Sequence, residues 1–210
     1  TYIEPITPEI VTKIIADGGL GNDVLDGGAD NDTVRYSYAS AGVAVSLVLA
    51  GQQNTIGAGL DTLSGFENIQ GSAYADTLTG DASNNQLIGG DGDDVLEGGL
   101  GDDLLQGGFG LDVASYASAI AGVSLFLGST VGQNTGGQGS DTLSGIEGLR
   151  GSAFNDVLWG NDADNILQGG GGNDEMHGAG GNDVIDGGDG IDTVSYGGAF
   201  LGVEVSLAIA

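Results

Sequence analysis

Gly89-Gly90-Asp91-Gly92-Asp93-Asp94-Val95-Leu96-Glu97 is the stretch that decides the fold, because the chain then says it again. Gly98 to Gln106 read GGLGDDLLQ, and Gly107 to Ser115 read GGFGLDVAS. The form is G-G-x-G-x-D-x-U-x, where U is a large apolar residue. It returns as GGLGNDVLD from Gly18, GGGGNDEMH from Gly169, GAGGNDVID from Gly178 and GGDGIDTVS from Gly187. A short fixed period of this kind predicts a solenoid.

The spacing has a physical reading. GGxGxD suits a tight turn, because glycine reaches positive φ without steric cost and lets carbonyls approach an ion. The remaining xUx fits a very short strand with one side chain inward. Two beats make one coil, so loops two beats apart stack on the same edge, with parallel rungs about 4.8 Å apart. Carboxylates of two stacked loops then face one cation. A hard cation such as Ca2+ takes about 6–8 oxygens at about 2.3–2.6 Å, which aspartates and loop carbonyls can supply.

The candidate metal-binding set is read loop by loop. It comprises Gly18, Gly19, Gly21 and Asp23; Gly27 and Asp32; Asp76; and Gly89, Gly90, Asp91, Gly92 and Asp94. It continues with Gly98, Gly99, Gly101 and Asp103; Gly107, Gly108, Gly110 and Asp112; and Asp156. The last members are Gly169, Gly170, Gly172 and Asp174; Gly178, Gly181 and Asp183; and Gly187, Gly188, Gly190 and Asp192. Asp91 is counted with its loop, although its carboxylate reads as a solubilising charge at a variable position. Asp26, Asp93, Asp102, Asp186 and Asp189 read the same way. The best expected pairs are Asp76/Asp94, Asp94/Asp112, Asp156/Asp174 and Asp174/Asp192. Asn85/Asp103 and Asn165/Asp183 are weaker, since Asn is a neutral donor. In each triplet the middle aspartate, Asp94 or Asp174, is expected to turn one oxygen to each neighbouring rung. Asp23 and Asp32 lie on opposite edges, either partnered by the connector or left as half-sites. GGADND, Gly27 to Asp32, has Asp30 at its fourth position instead of Gly.

These motifs resemble the repeats-in-toxin (RTX) family of secreted bacterial proteins. The resemblance covers roughly half the chain directly. It implies an all-β parallel β-roll, several Ca2+ ions between stacked Gly/Asp-rich loops, and export in one step by type I secretion machinery to the extracellular space.

Composition agrees. There are 30 acids and 3 bases, a net charge of −27. That excludes nucleic acid as a direct partner, because its backbone needs Lys and Arg, and disfavours anionic membrane surfaces. Self-repulsion opposes compaction without cations. With no cysteine, the metal must serve as the staple. No apolar run is long enough to span a membrane, and no signal peptide is visible. The chain lacks an initial Met and stops at Ile209-Ala210, so it reads as a fragment of a longer protein.

A longer repeat organises the beats. Tyr36, Tyr116 and Tyr196 are 80 apart, as are Asp61-Thr62-Leu63-Ser64-Gly65 and Asp141-Thr142-Leu143-Ser144-Gly145. The expected division is a lead-in at 1–17, RTX blocks at 18–36, 71–116 and 151–196, connectors at 37–70 and 117–150, and the start of another at 197–210. In the connectors, Gly42 to Leu47, Gly122 to Leu127 and Gly202 to Leu207 are expected to form strands longer than xUx. Polar loops are expected at Gly51 to Gly59 and Gly132 to Gly139. Leu60, Ile69, Leu78, Leu87, Leu96 and Leu105 keep the beat of nine, which puts Glu67 and Glu147 at the acid position of a degenerate beat. Ile10 to Ile15 reads as one strand covering the first open edge.

Catalytic constellations are absent from the sequence. His177 is the one histidine, so there is no H-E-x-x-H zinc site, and there is no G-x-S-x-G. Asp91-Gly92-Asp93 opens like an EF-hand loop, but Val95 and Leu96 occupy its ligand and glycine positions. His177 reads as an exposed strand-end residue. Trp159 reads as outward-facing, covering a neighbouring rung or stacking on a sugar or partner. Three function classes follow: a calcium-dependent folding and secretion module of a larger exported protein, a structural spacer of a repetitive surface adhesin, and a polysaccharide-binding module. The strands lack the regular T-x-T ladder of an ice-binding face.

Overall fold

The computed structural model describes residues 13–49 and 51–196. Ile10 to Thr12 and the Gly202 to Leu207 segment lie outside them. The described chain is strands and turns with no helix. Its pairing shows what the beat of nine does. Leu96 pairs in parallel with Leu78 on one side and Ala114 on the other, and Leu105 pairs with Leu87. Each pairing skips one beat, so two beats close one coil and successive strands alternate between two faces.

One side chain per strand points inward. Ile69, Leu78, Leu87, Leu96, Leu105, Leu149, Leu158, Leu167 and Met176 are fully buried. They form a single apolar ladder between the faces, each contributing about 1.5–3 kcal/mol by burial. A core one residue wide is thin, which leaves much of the cohesion to contacts along the loop edges.

Among the described residues the faces comprise two seven-stranded sheets, one four-stranded and one three-stranded. The breaks between sheets fall at the connectors. There the coil takes in more chain than two beats: Val24 pairs with Thr62, Thr33 with Asn68 and Ala44 with Thr77. Leu104–Thr142, Val113–Gly148 and Ser124–Val157 repeat the same offsets in the second connector. The additional chain builds a hairpin on one face. Gly51–Asn54 runs antiparallel to Leu60–Ser64, and Gln133–Asn134 antiparallel to Ser140–Ser144. A glutamine joins the hairpin to the strand beside it: the Ser46 amide donates to Gln53 Oε1 (2.8 Å), and the Phe126 amide to Gln133 Oε1 (2.6 Å).

Several connector expectations change. Ala44–Ser46 and Ser124–Phe126 are three residues long, no longer than xUx, because the strands they pair with offer only three partners. The longest strands are instead Gln86–Asp91, Leu104–Phe109, Ile166–Gly171 and Val184–Asp189, six residues each, where xUx runs on into the next loop's glycines. The supposed polar loops are partly hairpin strands. Leu60 is 40% exposed, and Leu63 is the buried apolar residue of that strand, so the beat of nine starts at Ile69. The lead-in joins the roll before Gly18: Ile15–Asp17 pairs with Thr33–Arg35, one coil further on, at the sheet edge.

Candidate metal centre

Fixed backbone geometry makes the loops. The second and fourth motif positions have positive φ: Gly90 +123° and Gly92 +121°, Gly99 +97° and Gly101 +116°. Asp30 and Ala179 hold +79° and +72° at the same positions without being glycine. The loops also stack in contact. A Cβ at Gly108 would collide with the Gly90 carbonyl, and one at Gly101 with the Ser83 carbonyl, each one coil back.

Two side chains per loop stitch the rungs, in opposite directions. The sixth-position aspartate accepts from the rung before: Oδ1 of Asp94 takes the Asp76 amide (2.8 Å), Asp112 takes Asp94 (2.9 Å), and Asp103 takes Asn85 (2.8 Å). Asp174, Asp192 and Asp183 take Asp156, Asp174 and Asn165 (2.8, 3.0 and 3.0 Å). All six expected pairs are thus brought together. The fifth-position residue accepts from the rung after: Asp93 Oδ1 takes the Leu111 amide, Asn84 takes Asp102, and Asn173 takes Ile191. Asp102 does the same for Ser140. Asp93 and Asp102 are therefore more than solubilising charges, and the repeated Asn or Asp before the motif aspartate was the signal for it. Asp91 and Asp189 are exposed strand ends.

The acid column continues through the connectors. The Asp32 amide donates to Glu67 Oε2 (2.8 Å) and Asp112 to Glu147 Oε2 (3.0 Å), so both glutamates stand where the degenerate beat puts them. Asp23 and Asp103 donate to Asp61 and Asp141 Oδ1 (2.9 and 3.0 Å). Asp23 and Asp32 thus find partners in the connector. Asp61 and Asp141, fully buried, were not among the expected site residues; the motif GGQGSD, Gly136 to Asp141, was the available signal for Asp141, and the 80-residue repeat carries it to Asp61. Tyr116, also buried, donates its hydroxyl to Asp141 Oδ2 (2.9 Å).

The second carboxylate oxygen separates the loops chemically. In GSAYAD, Asp76 Oδ2 takes the Ser72 amide, and Oδ1 takes the Ser72 hydroxyl and the Val43 amide. Asp156 is served likewise by Ser152 and Val123. Asn85 is neutral and satisfied, accepting from Asp81 and donating to the Glu67 carbonyl. By contrast, Oδ2 of Asp32, Asp94, Asp103, Asp112 and Asp174 is buried with no hydrogen-bond partner among the described residues. A buried anionic oxygen is costly unless something positive faces it. In Asp94 and Asp174, Oδ1 faces the preceding rung through the Asp76 and Asp156 amides, and Oδ2 is left without a partner among the described residues.

The free oxygens of Asp94, Asp112 and Asp174 lie beside a ready donor. The space a Cβ would fill at Gly89 is bounded by Asp94 Oδ2 and by the Gly107 carbonyl 2.7 Å away. Gly169, Asp174 and the Gly187 carbonyl repeat the arrangement. Carboxylate plus carbonyl is the donor chemistry of a hard divalent cation, so the loops fit Ca2+. Among the described residues no three acidic or histidine side chains gather at one point, so backbone carbonyls must supply much of any shell. Electrostatics agree. Burial, reinforced by Asp76, Asp112 and Asp93, pushes the Asp94 carboxyl up to about 7. Burial does the same to Asp103, to about 7, and raises Asp112, Asp174 and Asp183.

The RTX calcium-binding nonapeptide repeat model matches residues 15–36, 61–96, 79–114, 149–174 and 159–194, more than half of the chain. The matched segments contain every loop whose aspartate has the free oxygen. Beat, parallel roll and calcium-suited loops agree with that match, and the chain belongs to the RTX calcium-binding nonapeptide-repeat family.

Proposed function

We propose that this calcium-binding repeat module couples folding to the calcium concentration outside the cell, and so serves as the folding, secretion and stabilising module of a larger exported protein. One observation carries the reading: five buried aspartate oxygens without a partner among the described residues, in a chain of net charge −27. In calcium-poor cytosol those charges oppose compaction, and the chain stays extended enough to be threaded through type I secretion machinery. Outside, Asp32, Asp94, Asp103, Asp112 and Asp174 hold Ca2+ with loop carbonyls, and binding energy becomes folding energy. Affinities of about 10⁻⁴–10⁻³ M suit an extracellular module. The module has no catalytic role in this reading, since the buried carboxylates lie in loop stacks and not in a substrate cleft.

Far-UV circular dichroism and hydrodynamic radius with calcium, magnesium or chelator test it. The expected result is an expanded chain in chelator, a compact β-rich one in millimolar calcium, and a weaker response to magnesium, which demands a tighter octahedral shell. An unchanged spectrum and radius in chelator overturn the reading. The 80-residue super-repeat also suits a spacer in a repetitive surface adhesin, in which the same calcium-set roll supplies rigidity.

A further inference from the structure

Each connector carries the same groove. In the first it is bounded by Ser46, Leu49, Gln53 and Thr79, among others, and encloses about 220 Å³. In the second, one super-repeat later, Phe126, Ser129, Gln133 and Trp159 take those places and the volume is about 510 Å³. Two small polar side chains have become two aromatic ones. Register sets Phe126 beside Trp159 and Trp159 beside His177 on adjacent strands. The Trp159 indole stacks on the His177 ring, centroids 3.7 Å apart and planes 10° from parallel. His177 Nε2 is in turn held by Glu175 Oε1 at 2.8 Å. The indole is therefore braced from the far side and 42% exposed, with Phe126 across the groove 45% exposed.

The polar fittings differ as well. Gln53 Nε2 donates to the Ser46 carbonyl (3.0 Å), whereas Gln133 Nε2 is buried with no acceptor among the described residues. The second groove thus combines a braced flat aromatic face, an exposed phenyl and serine hydroxyls. No charged side chain lines it. A flat apolar ring face edged with hydroxyls matches this lining: C–H groups pack on the indole while hydroxyls meet Ser124 and Ser129. The volume lies in the range of small-ligand sites, about 300–1,000 Å³. The net charge of −27 repels anionic polymers, and a lining without carboxylates offers nothing to a cationic one.

We propose that the groove between Phe126 and Trp159 binds a neutral pyranose chain. Trp159 is the sole tryptophan, so its fluorescence reports directly on the groove. The test titrates the calcium-loaded chain with cellohexaose, laminarihexaose, xylohexaose and mannohexaose, and with polygalacturonate and chitosan oligomers as charged arms. At least one neutral hexamer is expected to give a saturable change in emission. Phe126→Ser, which installs the first connector's residue, should weaken it at least about tenfold, a loss of about 1.4 kcal/mol. Trp159→Thr, followed by calorimetry, should abolish binding while the calcium-dependent circular dichroism stays unchanged. Silence from all four neutral probes at millimolar concentration overturns the proposal. So does an equal response in Phe126→Ser, or a charged polymer that binds as tightly as the best neutral one.

Discussion

At Gly21 φ is +124° and at Gly92 +121°, the same motif position in the same conformation. They differ in what lies beneath. Nothing is within 4 Å of a Cβ at Gly21, whereas one at Gly92 would collide with the Tyr74 carbonyl group and meet the Ala75 nitrogen at 2.6 Å. Gly21→Ala should therefore cost only the strained dihedral, about 1–3 kcal/mol. Gly92→Ala should cost a further 1–3 kcal/mol or so, roughly, for the clash. Denaturant melts in saturating calcium measure the difference; equal losses would mean the rungs are not in contact. Asp94 has two separable roles. Oδ1 ties Asp76 to its rung, and Oδ2 is buried and unpartnered. Asp94→Asn keeps an acceptor for the tie and removes the charge. The metal-free variant should be more compact than the parent, and its gain from calcium smaller. Asp94→Ala should lose both. Asp93→Ala should weaken the tie to Leu111 by about 0.5–1.5 kcal/mol without moving calcium affinity. Loss of affinity there would shift the phase of the whole ligand set by one residue.

At the scale of strands and loops, the sequence made the beat legible and hid its interruptions. Leucines at fixed intervals of nine announce the coil, and the structure stacks them as expected. Leu60 misled because it keeps the interval by coincidence: the hairpin before it resets the phase, and nothing local distinguishes Leu60 from Leu63. Asp61 was hidden likewise, since the glycine loop before it is incomplete, whereas Asp141 closes a full motif, Gly136 to Asp141, and extends the acid column of Asp103. The column sets the response to pH. Carboxyls raised in the fold to about 7 at Asp94 and Asp103 and about 6 at Asp141 bind protons more tightly there than in the unfolded chain, whose carboxylates stay near 3.8. Their contribution to the metal-free fold is greatest below the unfolded value and is lost as pH rises through about 6 to 7. Without calcium, β content should therefore be higher near pH 4 than at pH 8. With calcium, binding below pH 7 should release protons, and affinity should fall on acidification. A metal-free β signal that rises with pH would contradict the burial of these carboxyls.

At the scale of the whole roll, the 80-residue repeat and the two-face coil are out of step. Thr33–Arg35 lies in one seven-stranded sheet, and its equivalent Val113–Ser115 lies in the opposite one. Ala44–Ser46 and Ser124–Phe126 are likewise on opposite faces. Each unit contains an odd number of half-coils, so equivalent residues return to the same face only every second unit. The arrangement is testable because stacked repeats interact mainly with their neighbours and tolerate loss of a unit. Removing 89–106 deletes a full coil, and removing 98–106 deletes half of one; both should fold in calcium, since the loops that meet are chemically alike. Spin labels on cysteines at Ser46 and Phe126 would distinguish them. The full-coil deletion should keep the labels on opposite faces and bring them closer along the axis by one rung, about 4.8 Å. The half-coil deletion should put both on one face and remove the separation through the roll, about 10 Å between packed sheets. It should give the shorter distance although it removes less of the chain. The reverse order would mean that the coil does not alternate faces with every beat of nine.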